Sequence, residues 1–130
     1  MISHVHIGTS NLLVAVEFYD AVLNPLNIWR KFVDEENGWA GWKSEVAERP
    51  LFLVGRPFNG AQSSAGNGAM VALLSPSRRT VDLCHEIALR AGATDEGKPG
   101  LRPNYHSDYY GAYFRDLDDN KICICCHEAE

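Results

Sequence analysis

Apolar and polar positions alternate with a period of two over Ile2–Gly8, Val5 and Ile7 on one face and His4, His6 and Gly8 on the other, which predicts a half-buried strand. The period then changes. Leu12, Val16, Tyr19, Leu23 and Leu26 recur every three or four positions, the stripe of an amphipathic helix with Thr9, Ser10 or Asn11 as its cap and Pro25 at its end. Three short strand-like runs follow, Asn27–Asp34, Gly38–Lys43 and Leu51–Val54, divided by Glu35-Glu36-Asn37 and by Arg49-Pro50. Gly55–Gly68 is rich in Gly, Ser, Asn and Pro and reads as a linker.

The pattern then begins again. Ala69–Leu74 reads as a strand, Ser75-Pro76-Ser77 opens a helix, and Val81–Ala91 continues it to Gly92. Ala93–Glu96 is a short strand, Gly97–Ser107 a loop held by Pro99, Gly100 and Pro103, and Tyr109–Arg115 with Asn120–His127 a hairpin across Asp116–Asp119. A shift of 66 residues lays Val5 on Val71, Thr9 on Ser75, Asn11 on Ser77 and Leu23 on Leu89. Strand–helix–strand–strand–strand thus occurs twice. The expected fold class is α+β: one domain over 1–130, built from βαβββ modules at 1–54 and 69–130 with a linker at 55–68.

Composition narrows the functional classes. The chain has 130 residues, 45% hydrophobic and 22% charged, with a formal charge of −5, the balance of an ordinary globular protein. The longest apolar region, Leu12–Leu26, contains Glu17 and Asp20, so no membrane span is expected, and no basic-then-apolar leader opens the sequence. Net negative charge with scattered Lys and Arg argues against nucleic acid as a partner. Cys123, Cys125 and Cys126 crowd the end of the chain while Cys84 lies on a helix, which is no disulfide framework; free thiols in the cytoplasm are the expectation.

A duplicated βαβββ unit of this length resembles the vicinal oxygen chelate superfamily, that of glyoxalase I, bleomycin-resistance proteins and extradiol dioxygenases. His4-Val5-His6-Ile7-Gly8, with Phe18-Tyr19 and Val22-Leu23 on the helix after it, is similar to the family's first βα unit. Tyr113-Phe114-Arg115-Asp116-Leu117-Asp118-Asp119-Asn120-Lys121-Ile122 is similar to its last hairpin, and Pro99–Pro103 with Tyr105-His106 and Tyr109-Tyr110-Gly111 to a bacterial glyoxalase-like subgroup. The resemblance implies a curved sheet around a cup and a homodimer. In metal-dependent members four side chains, from the first, fourth, fifth and eighth strands, hold a divalent cation that keeps positions open for two substrate oxygens. Here His4 occupies the first of these positions and Leu51–Val54 offers no donor. Met70 stands where the fifth-strand His is expected, and Cys123 replaces the usual Glu. Such a set is unlike the oxygen-rich shell of Mg²⁺ or Mn²⁺, so no cofactor is expected.

The candidate ligand-binding residues are His4, His6, Met70, Tyr109, Tyr113 and Cys123. Strand parity places His4 with His6, and Cys123 with Cys125 and His127, on common faces. His4, His6 and Cys123 are a candidate zinc set, since a thiolate and two imidazoles leave a fourth position open. His6 and His106 are candidate proton carriers because imidazole titrates near neutrality. Asp116–Asp119 reads as a capping turn, and no nucleotide or nucleophile-elbow motif is present. Three functions remain open: a metal-independent small-molecule binding protein, a glyoxalase-like lyase or isomerase with a rebuilt metal site or acid–base chemistry, and an inert interaction protein.

Overall fold

The computed structural model describes all 130 residues. The N-terminal module consists of β1 (His4–Gly8), α1 (Leu12–Leu23) with a 3-10 turn at Asn24–Leu26, β2 (Ile28–Asp34), β3 (Trp39–Ser44) and β4 (Leu51–Gly55). The C-terminal module repeats it with β5 (Val71–Leu74), α2 (Arg78–Arg90), β6 (Thr94–Leu101), β7 (Tyr110–Arg115) and β8 (Lys121–Cys126). Each module folds its strands into its own mixed sheet, in the orders β1-β4-β3-β2 and β5-β8-β7-β6, with the first strand parallel to the last. This is the α+β, twofold βαβββ architecture expected from the sequence.

The repeat extends to the atoms that start each helix. Thr9 and Ser75 are buried at the equivalent strand ends, and their backbone N–H groups donate to Gly55 O and Cys125 O. Each hydroxyl accepts the N–H two residues on, that of Asn11 or Ser77. Asn11 and Ser77 then cap α1 and α2 by accepting from Val14 N–H and Thr80 N–H. A short polar side chain at these positions satisfies first-turn donors that would otherwise lack partners.

One core serves both modules. Val16, Tyr19 and Leu23 pack α1 onto its own sheet, while Ala15, Phe18 and Val22 are buried as well, because the other flank of α1 meets α2 and Phe114 of the second sheet. Tyr19 is surrounded by Phe18, Trp42 and Phe52, and its O–H donates to the buried Asp116 carboxylate at 2.5 Å. That carboxylate also accepts the N–H groups of Asp118 and Asn120, so the acidic turn is a capping structure, as its residues predict. Asn120 Nδ2 donates to Gly8 O and Ser10 N–H donates to Asp118, which ties the β7–β8 turn into the β1–α1 junction of the other module.

Several boundaries differ from expectation. Gly55 closes β4 by pairing with Gly8 and Trp39, so the irregular connection begins after it, and Ala69 and Met70 precede β5 rather than opening it. β6 runs to Leu101 through the stretch read as a loop. It is an edge strand, and two register shifts, between Asp95 and Gly97 and between Gly97 and Gly100, carry Lys98 and Pro99 past the ladder. Proline is tolerated there because an edge bulge asks for no ladder N–H. No helix is long and apolar enough to cross a membrane.

Candidate functional site

Each sheet has one face on the helices and one turned away from them. On the C-terminal sheet Ile122, Ile124, Ala112 and Phe114 face the core. The alternate residues Cys123, Cys125, Gly111 and Tyr113 therefore share the outer face, Tyr113 opposite Cys123 and Gly111 opposite Cys125 in the β7–β8 ladder. Tyr109 completes this surface from just before β7. A Cβ on Gly111 would lie 2.8 Å from the Tyr109 ring, so glycine lets that ring lie flat over the strands. Its hydroxyl then reaches Tyr113 Oη at 3.0 Å and Cys123 Sγ at 3.5 Å.

The structure thus brings Tyr109, Tyr113 and Cys123 together, with Cys125 and His127 on the face where strand parity puts them, and sets His106 beside them. Asp108 N–H donates to His106 Nδ1 at 3.2 Å, which makes Nε2 the protonated nitrogen of the neutral ring. That nitrogen lies 2.8 Å from His127 Nδ1, and the two rings stack with centroids 5.1 Å apart. His127 Nε2–H is left to donate to Cys125 Sγ at 3.7 Å. A chain of polar contacts therefore runs from the loop surface to the thiol pair.

Electrostatics separates the two thiols. Hydrogen bonding from Cys125, then from Tyr109 and Tyr113, with the positive charge of Arg102, holds the Cys123 thiol down at about 7 against the opposing effect of burial. Cys125 moves the other way, raised by its hydrogen bond to Cys123 and by burial. The Tyr109 and Tyr113 phenols are raised, chiefly by burial. Cys123 is the group of this face that carries negative charge most readily.

The remaining candidates lie elsewhere. His4 and His6 are exposed on β1 of the other sheet. His4 Nδ1 contacts Ser3 Oγ, and the His6 ring lies against Gly55 beside Trp39. The pKa of His6 is lowered by burial and by the charge of His4. Met70 is half-exposed ahead of β5. The proposed zinc set of His4, His6 and Cys123 is not assembled within one chain, and no group of three or more His, Cys, Asp or Glu side chains converges in a way that could hold an ion. The reason is topological: the modules meet through α1 and α2, with β1 and β5 on separate sheets. The donors at the four family positions also fail to fit a hard cation. β4 presents Leu51 and Leu53 there, both buried, and the β8 donor is a thiol already engaged by Tyr109.

Arg102 is the residue that pattern reading missed. Its guanidinium leaves the loop and lies back over β6, within 3.3 Å of where a Cβ on Gly97 would stand and 3.2 Å for Gly100. It donates to Lys98 O at 2.8 Å and faces the Tyr113 ring at 5.5 Å. The spacing of Gly97 and Gly100 was the only trace of it in the sequence.

With this geometry in hand, the relatives are informative. A glyoxalase/bleomycin resistance protein from Albidiferax ferrireducens T118 is 32% identical over 98% of this chain and 99% of its own, with a TM-score of 0.86. A glyoxalase/bleomycin resistance protein/dioxygenase family enzyme from Burkholderia phytofirmans PsJN is 18% identical over 97% and 98%, with a TM-score of 0.73. A lactoylglutathione lyase from Agrobacterium tumefaciens is 16% identical over 97% and 92%, with a TM-score of 0.67. No family model matches the sequence, and no curated protein matches it. The chain belongs to the glyoxalase/bleomycin resistance protein/dioxygenase superfamily.

Proposed function

We propose that this protein binds a small molecule on the outer face of its sheets, without the divalent metal site of the enzymes in its superfamily. The observation that carries the reading is the Tyr109–Tyr113–Cys123 cluster: half-buried phenols and a thiol on one sheet face, where the family would need a carboxylate. Phenols suit that role because they cover an apolar ligand body while offering O–H groups to its polar atoms. A second copy of the chain completes the binding cup, since His4 and His6 lie on the other sheet from Cys123 in a single chain. We place the protein in the cytoplasm, where its four cysteines stay reduced.

The His106–His127–Cys125 chain of contacts favours one second reading, acid–base catalysis of a lyase or isomerase type. In that reading His106, at the solvent end, exchanges protons with a substrate seated over Tyr109.

Calorimetric titration with Mn²⁺ and Ni²⁺ tests the metal-independent reading. The protein as it stands is expected to bind both poorly. Met70→His with Cys123→Glu restores three of the family positions, counting His4, and is expected to raise affinity by at least about tenfold, worth about 1.4 kcal/mol. Tight stoichiometric binding of either ion by the unaltered protein overturns the proposal. Selective Zn²⁺ binding abolished by Cys123→Ser would instead establish a rebuilt site.

A further inference from the structure

Six of the twelve Lys and Arg side chains are paired with carboxylates, among them Arg30 with Asp20, Lys43 with Glu48, Arg90 with Glu86 and Arg115 with Glu96. Arg102 and Lys121 are not. Neither has a carboxylate within ion-pair reach, and both are half-buried on the outer face of the C-terminal sheet. They approach the same aromatic ring, Arg102 Cζ at 5.5 Å and Lys121 Nζ at 5.7 Å from the Tyr113 centroid.

Arg102 is also held in place. Its Nη2 donates to Lys98 O at 2.8 Å, and Nη1 contacts Leu101 O at 3.4 Å. Gly97 and Gly100 leave the floor of β6 bare beneath it, where a side chain would crowd the guanidinium. Carbonyl partners fix the group without neutralising it, and its other N–H donors have no partner in the protein. An exposed lysine or arginine swings in water. A guanidinium seated on a glycine floor against an aromatic ring has already lost that freedom, so a ligand meets a preorganised positive fork. Beside it the hydroxyls of Tyr109 and Tyr113 lie 3.0 Å apart at the polar end of the face, and their rings supply apolar area.

We infer that Arg102 and Lys121, with the phenols of Tyr109 and Tyr113, form a receptor for the carboxylate of a small organic acid whose apolar body lies along the tyrosine rings. The inference rests on the small-molecule reading above and names its ligand class. The charge supplies attraction and orientation: a carboxylate matches the guanidinium fork in two parallel hydrogen bonds, whereas a neutral amide of the same shape gains neither the charge nor a second acceptor oxygen.

The test is an amide-resolved NMR titration of the isotope-labelled protein with benzoate, phenylacetate and hexanoate, each beside its primary amide. At least one acid is expected to shift the signals of Arg102, Tyr109–Tyr113 and Lys121 saturably, about tenfold more tightly than its amide, a preference that weakens as salt is added. Arg102→Gln and Lys121→Gln, checked for an unchanged spectrum elsewhere, are each expected to reduce the preference, and the double variant to abolish it. If acids and amides bind this face equally, or the double variant keeps the preference, the carboxylate receptor is overturned while small-molecule binding stands. If no acid and no amide shifts these signals, both the receptor and this face as the ligand site are overturned.

Discussion

Cys84 and Cys123 are both fully buried, yet their thiols differ in chemistry. Cys84 sits among apolar side chains of α2, where burial alone pushes it up to about 12. Cys123 is held at about 7 because Cys125, Tyr109 and Tyr113 can all donate to its thiolate. The folded value lies below that of an unfolded cysteine, so ionised Cys123 contributes stability that is present above the unfolded pKa and is lost as pH falls through 7. A pH titration of the ultraviolet thiolate band is expected to show one thiol ionising near neutrality. Cys123→Ser should remove that step, and Tyr109→Phe should move it upward by withdrawing one donor. A first ionisation at the ordinary cysteine value would reject this picture. Parity along β8 was enough to place Cys123, Cys125 and His127 on one face. Tyr109 and Tyr113 were legible as their companions, but the approach of His106 and Arg102 was not, because both reach that face from a loop whose path depends on the β6 bulges, which no period encodes.

At the scale of elements, periodicity located both helices and most strand positions, and its failures have physical causes. The apolar stripe of α1 omitted Phe18 and Val22, since a pattern reading assumes one buried face and α1 has two. β6 looked like a loop because Gly97, Pro99 and Gly100 are ordinary turn residues, and only the edge position makes them tolerable in a strand. Gly41 in β3 is a third case, a glycine opposite Phe32 where the β2–β3 register shifts. A Cβ there would stand 2.5 Å from the Phe32 ring and 2.8 Å from the Leu53 side chain. Gly41→Ala forces both to move on a sheet face where Phe32 also packs edge-on against Trp39. The expected cost is about 1–3 kcal/mol, read from urea denaturation. A neutral Gly41→Ala would mean that the Phe32 ring is free to swing away.

The whole molecule depends on how the two modules are joined. Tyr19 of α1 donates to Asp116, which burial disposes toward its protonated form even though Tyr19 and Asn120 both favour the carboxylate. Tyr19→Phe withdraws one of the donors compensating a buried anion and is expected to cost about 1–3 kcal/mol in urea or thermal unfolding. A loss confined to the surface-pair range would show that the Asp116 turn holds without the helix.

The last prediction concerns what lies beyond one chain. β1 and β5 are both sheet edges, and an edge with apolar side chains is a surface that a folded protein ordinarily covers. Around them Ile2, Met70 and Leu74 are 53%, 45% and 70% exposed, and His4 and His6 are exposed on β1. A twofold partner is self-complementary, so one contact covers both copies of these edges and can bring His4 and His6 of one chain toward Met70 and Cys123 of the other. Light scattering at micromolar concentration is therefore expected to give the mass of a dimer. Met70→Glu with Leu74→Glu should yield monomers of unchanged circular dichroism, because both side chains lie outside the core, and the monomers should lose any ligand affinity that needs both sheets. A monomeric unaltered protein would remove the partner, and with it the shared cup. The C-terminal sheet would then have to bind its ligand alone.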